Sequence, residues 1–122
     1  MTMKEKFKLW LPVIIWAAII FWFSSLAINK PAPFSWPDFI MKKTAHVTEY
    51  AIFYWLLFRA ISQKNKLVGR KSFIFSLIIV ILFALSDEWH QTFIPGREGT
   101  LRDVGFDTIG GLFSLLQIKK NL

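Results

Sequence analysis

Cysteine is absent from this 122-residue chain, which excludes disulfides, thiolate metal ligands and a cysteine nucleophile. Acids are scarce, eight against fifteen lysines and arginines, for a net charge of +7. The chain has no glycine-rich phosphate loop, no nucleophile elbow, no internal repeat and no low-complexity tract. It also lacks the polar content of a soluble domain: 54% of it is apolar and 17% aromatic. That composition predicts a membrane protein.

Four segments carry the prediction. Leu9 to Leu26 has only Ser24 and Ser25 as polar members; Ala45 to Ile61 is apolar after a polar turn; Ser72 to Leu85 has no charge before "SDEWHQ"; Val104 to Ile118 is the shortest. A spanning helix needs about 20 residues, so the second and third reach that length only with their polar ends. The expected fold is an all-α bundle of four transmembrane helices, at about 9–27, 39–61, 72–91 and 103–118, in a single domain over 1–122. The basic leader "MTMKEKFK" and Ser25-Leu26-Ala27 imitate a secretory signal, but the apolar core is longer than the 7–15 residues or so usual for one, so the reading is a retained helix.

Alternating loops separate the charges. One side holds Lys4, Lys6, Lys8, Arg59, Lys64, Lys66, Arg70, Lys71, Lys119 and Lys120 with only Glu5 against them, a charge of +9; the other holds Lys30, Lys42, Lys43, Arg97 and Arg102 with the remaining seven acids, a charge of −2. The basic side is expected to be cytoplasmic, with both termini there. Basicity so placed points to anionic lipid headgroups, and nothing in the sequence points to nucleic acid. Between the first two segments, "PAPFSWP" reads as a stiff extended loop, with Asp38 expected to cap the second helix.

With this threading, the polar ends of three helices meet at the outer face. Residues three, four and seven apart share a helix face. That puts Lys42, His46, Glu49, Tyr50 and Phe53 together on the second helix, Ala84, Asp87 or Glu88, and Gln91 on the third, and Asp103, Asp107, Gly110 and Gly111 on the fourth. Ionisable groups inside a bilayer are disfavoured by about 2.5–3.5 kcal/mol each on insertion scales, and so face a bundle interior or a wet cavity. Glu49 and Asp107, each about one turn inside its helix, speak most directly for a buried polar site. Headgroup-level solvation is the competing reading for Asp87, Glu88 and His90.

Other residues carry two readings each. Thr100 with Asp103 forms a capping-box pattern, which would give Asp103 a purely local role. Gly110, Gly111 and Ser114 read first as a small-residue face for close helix approach. Arg97, on the turn Pro95-Gly96, can pair with the neighbouring acids or with an anionic group of a ligand. His46-x-x-Glu49 and Asp87-x-x-His90 each set a carboxylate and an imidazole one turn apart, as in some metal-binding bundles, but two such pairs arise easily in so polar a cluster. No metal or cofactor is assigned. Acid–base chemistry by Glu88 or Glu49 with His46 stays open.

The order Lys43-x-x-His46-x-x-Glu49-Tyr50, then Ser86-Asp87-Glu88-x-His90-Gln91-x-Phe93-x-Pro95-Gly96-Arg97, then Arg102-Asp103-Val104 with Asp107-x-x-Gly110, resembles the VanZ-like family of small bacterial membrane proteins. "FWFSS" at Phe21 to Ser25 extends the likeness to about residues 9–118. Leu26 and Asp107 depart from it, standing where glutamine and asparagine are common. The resemblance implies a multi-pass protein of the bacterial plasma membrane, associated with low-level resistance to the glycopeptide teicoplanin, and brings no established catalytic residues. His46, Glu49, Tyr50, Glu88, Gln91, Arg97 and Asp103 match its motifs, and Asp107 joins them by position. The expected function is an outward pocket for a lipid-linked cell-wall precursor or a glycopeptide. The alternative is a membrane-embedded enzyme acting on such a headgroup, with Glu88 or Glu49 as acid–base and a metal at His46 and His90.

Overall fold

The computed structural model describes residues 2–26, 35–62, 69–94 and 101–121. They form α1 (Met3–Ser24), α2 (Trp36–Ile61), α3 (Arg70–Gln91) and α4 (Leu101–Lys120), with no strand among the described residues. Helix α1 starts within the charged leader: the Thr2 hydroxyl accepts from the Glu5 amide at 3.2 Å and Glu5 lies in the first turn, two parts of a capping box. Pro12 is accommodated inside the helix. At the start of α2 the capping residue is Ser35, which makes no side-chain cap bond. Asp38 falls in the first turn and pairs with Lys42 at 3.0 Å instead of capping, a correction to the expected role.

Contacts fix the packing. Phe58 of α2 meets Phe73 of α3 with ring centroids 4.6 Å apart, and Phe53 meets Phe83 at 4.8 Å, so the two helices are antiparallel. Parallel to α2 runs α4, since His46 meets Asp107 while Ala51 and Trp55 lie beside Ser114. Helix α1 runs parallel to α3, because Ser24 bonds to Asp87 at the far end of both. The chain therefore alternates direction. Helix α2 lies against all three others.

A seam of aromatic rings fills the centre, where Tyr50 and Tyr54 are fully buried and the Tyr54 hydroxyl donates to the Phe73 carbonyl at 2.9 Å. Two adjacent glycines seat α4 in the groove between α2 and α3. A Cβ on Gly110 would stand 2.3 Å from the Val47 carbonyl oxygen, and one on Gly111 would stand 3.3 Å from Val80 Cγ1. The small-residue face expected of the sequence is thus where α4 comes close to its neighbours.

Much of the outer surface is apolar. Helix α1 buries only Leu9, Val13, Ile20 and Ser24, and exposes residues such as Phe7, Ile14 and Trp22. On α3 and α4, Phe75, Leu82, Trp89, Phe113 and Leu116 are likewise exposed. Water does not tolerate apolar faces of this extent; a bilayer solvates them. Two helices, α1 and α3, are long and apolar enough to cross a membrane.

Candidate functional site

The polar residues gather where α1 and α3 end and α2 and α4 begin. Parallel packing makes a ladder of α2 and α4. Lys43 Nζ donates to Asp103, one turn further in His46 Nδ1 lies 3.0 Å from Asp107 Oδ1, and Gly110 then presses on Val47. Steps of three on α2 and four on α4 keep both rungs on facing stripes. The Lys43 side chain is 16% exposed, that of Asp103 11% and that of His46 21%, whereas Asp107 is fully buried. The polar rim thus gives way inward to a fully buried carboxyl group.

Tyr50, one turn beyond His46, carries the network to α3. Its hydroxyl donates to Asp87 Oδ2 at 3.5 Å, while Asp87 Oδ1 accepts from Ser24 Oγ of α1 at 2.6 Å. Trp16 Nε1 of α1 donates to the Glu49 carbonyl at 2.9 Å. Side-chain bonds thus join α4 to α2, and both α2 and α1 to α3, at this one end. Asp87, Glu88, Gln91, Asp103 and Asp107 are all buried. Among the described residues, Asp107 Oδ2 is a buried oxygen without a hydrogen-bond partner.

His46, Tyr50, Asp103 and Asp107, named from the sequence, enter this network directly. Glu88 and Gln91 are buried on α3 beside and one turn beyond Asp87, and Glu49 is half-buried on α2. Arg97 lies outside the described residues, as do Pro95, Gly96 and Thr100. Asp103 pairs with Lys43 across the helix pair, so its role reaches beyond its own helix. Lys42, placed on the pocket face by the sequence, is 61% exposed at its side chain and points away with Asp38. Its neighbour Lys43 takes that place, seven residues before Tyr50 and so on the same stripe. The sequence alone leaves Asp87 as one of two options and assigns Ser24 no role, although "FWFSS" marks its position.

A neutral His46 that donates its Nδ1 proton to Asp107 keeps Nε2 as an acceptor, the arrangement of an oriented base. Of the two histidines considered for a metal, His46 faces Asp107 and the His90 ring lies against Phe21 of α1, centroids 4.1 Å apart. No group of three or more histidines and acids among the described residues is placed to hold a metal ion.

The family model for VanZ/LLP1 matches residues 7–119. The chain belongs to the VanZ/LLP1 family. Comparison with curated proteins and with solved structures finds no match. The matched span contains every residue of the polar network, so in this VanZ/LLP1 chain the network is part of the family domain. Family membership and the two candidate spans together point to a membrane protein.

Proposed function

We propose that this VanZ/LLP1 protein is a multi-pass protein of the bacterial plasma membrane that binds the polar headgroup of a lipid-linked envelope ligand at its polar end. All four helices span, both termini are cytoplasmic, and the polar end faces outward. The observation that carries the reading is the convergence of buried polar side chains from all four helices, with Asp87 and Asp107 almost wholly out of solvent. Ionisable groups at membrane depth are retained for function more often than for stability. Charge supports the threading, +9 on the side of the termini against −2 on the side of the cluster. The resemblance to VanZ-like proteins brings an association of the family with low-level teicoplanin resistance, and a lipid-linked cell-wall precursor or the glycopeptide itself would fit an outward polar end.

The absence of native cysteine makes the topology directly testable. Single cysteines at positions 42 and 97 should react with a membrane-impermeant maleimide on intact cells, while cysteines at 4 and 119 should react only after lysis. Labelling of 42 and 97 from opposite sides would end the proposal. For function, Glu88→Ala or Arg97→Ala should remove any glycopeptide tolerance while the protein still inserts, and unchanged tolerance in both would count against the pocket.

The His46–Asp107 pair favours a second reading, a membrane-embedded enzyme acting on a lipid headgroup by acid–base chemistry. Under it, His46→Gln should reproduce the envelope-lipid profile of a deletion strain by mass spectrometry. Under simple binding, deletion leaves that profile unchanged.

A further inference from the structure

Two carboxylates at the polar end, Asp87 and Asp107, have no lysine or arginine set against them among the described residues. Asp87 is 1% exposed, and its hydrogen-bond donors are two neutral hydroxyls, Ser24 Oγ at 2.6 Å and Tyr50 OH at 3.5 Å. Asp107 is fully buried; Oδ1 takes His46, and Oδ2 has no partner. Lys43 is held by Asp103. Lys42 is turned outward to Asp38. Both carboxylates flank one stretch of α2, Asp107 beside His46 and Asp87 beside Tyr50, a single turn apart. A buried carboxylate needs a compensating charge and donors for its free lone pairs.

We infer that the polar end accepts a primary ammonium group on the headgroup of its lipid-borne ligand, with Asp107 and Asp87 as the carboxylates that receive it. The inference rests on the headgroup-binding reading above and adds the chemical class. An ammonium carries three N–H donors and no acceptor, the complement of a site with open acceptor positions. A phosphate or carboxylate offers acceptors where Asp87 and Asp107 already present acceptor oxygens. The molecule already holds one ammonium in this manner at the rim: Lys43 Nζ rests on Asp103 with the rings of Phe39 and Phe106 centred 5.5 and 5.6 Å away, a carboxylate and two aromatic faces around one cation. At the rim the side chains of Lys43, His46 and Asp103 keep 16%, 21% and 11% exposure, so the ligand would approach from this side.

The test uses the full chain in nanodiscs holding equal amounts of phosphatidylethanolamine, N-acetylated phosphatidylethanolamine and phosphatidylglycerol, with the lipid retained on release read by native mass spectrometry. Phosphatidylethanolamine should be retained about tenfold over its N-acetylated form, a factor equal to about 1.4 kcal/mol. Asp107→Asn, and separately Asp87→Asn, should bring that ratio close to one. Added ethanolamine distinguishes the sources: displacement of the lipid assigns recognition to the amine alone, and retention assigns it to the amine on its lipid. Equal retention of the free and acetylated amines, or preference for phosphatidylglycerol, overturns the ammonium assignment while leaving a headgroup pocket in place. Retention of none of the three lipids overturns the pocket as well. The comparison on the native chain decides the matter even where a variant fails to fold.

Discussion

Replacing Gly110 by alanine adds one methyl group to a contact between α4 and α2 that has no room for it. The new Cβ would stand 2.3 Å from the Val47 carbonyl oxygen and 3.1 Å from the Ala51 amide nitrogen, both backbone atoms that cannot rotate away. Relief to the optimal contact distance of about 3.5 Å requires the helices to part by about 1 Å. One turn away, the 3.0 Å His46–Asp107 contact would then exceed hydrogen-bond range. Overpacking costs about 1–3 kcal/mol and a lost bond to a charged group about 1.5–3, against a gain of about 0.5–1 from replacing glycine in a helix. The net expectation is a loss of about 2–5 kcal/mol. Gly105 on the same helix is the control, because its added Cβ would meet nothing within 4 Å. Gly105→Ala should be neutral or stabilising by up to about 1 kcal/mol. Unfolding of the purified chain in detergent, by heat or by titration with a denaturing surfactant, measures both. Equal stability of the two variants would refute the claim that Gly110 sets the distance between α4 and α2.

Further substitutions probe the network by the same assay. Ser24→Ala removes the 2.6 Å donor to buried Asp87 and should destabilise by about 1–3 kcal/mol; Ser25→Ala, whose hydroxyl donates to the Phe21 carbonyl of its own helix at 2.8 Å, should change stability by less than about 0.5 kcal/mol. Lys43→Met removes the charged partner that α2 gives Asp103 and should destabilise by about 1.5–3 kcal/mol, part of it recovered in the double variant Lys43→Met with Asp103→Leu. Lys42→Ala should be silent to within about 0.5 kcal/mol, because its pairing with Asp38 is exposed. A large effect at Lys42 and a small one at Lys43 would reverse the face assigned to α2.

Helix number and approximate place were legible because long apolar runs admit few alternatives, and each expected segment coincides with one observed helix. Boundaries were less legible. An apolar run shows where a helix becomes hydrophobic, whereas α1 starts six residues before Leu9, in a lysine-rich leader that forms helix readily and is capped by Thr2. The Thr2-x-x-Glu5 signal lies outside the apolar run, in the charged leader. At α2 Asp38 is the more conspicuous capping residue in the sequence, but Ser35 followed closely by Pro37 marks the actual start.

The site was legible where spacing alone decides and illegible where packing does. Asp103 and Asp107 are four apart and must share a face, and His46 and Tyr50 must likewise, so these four were available to counting. Choosing between Lys42 and Lys43 required knowing which stripe of α2 meets α4. That is set by Gly110 pressing on Val47 and Ala51, a contact between distant parts of the chain that leaves no mark in either helix alone. The same holds for Ser24 and Asp87, which are 63 residues apart in sequence and meet only because α1 and α3 run parallel. The two least legible residues are therefore the pair that fastens α1 to α3 at the polar end. If the network binds a headgroup, Ser24 acts on the ligand through Asp87, and Ser24→Ala should weaken binding more than Ser25→Ala even under conditions where both variants remain folded. Indistinguishable lipid retention by those two variants, read by native mass spectrometry, would show that Ser24 holds α1 in place and does nothing for the ligand.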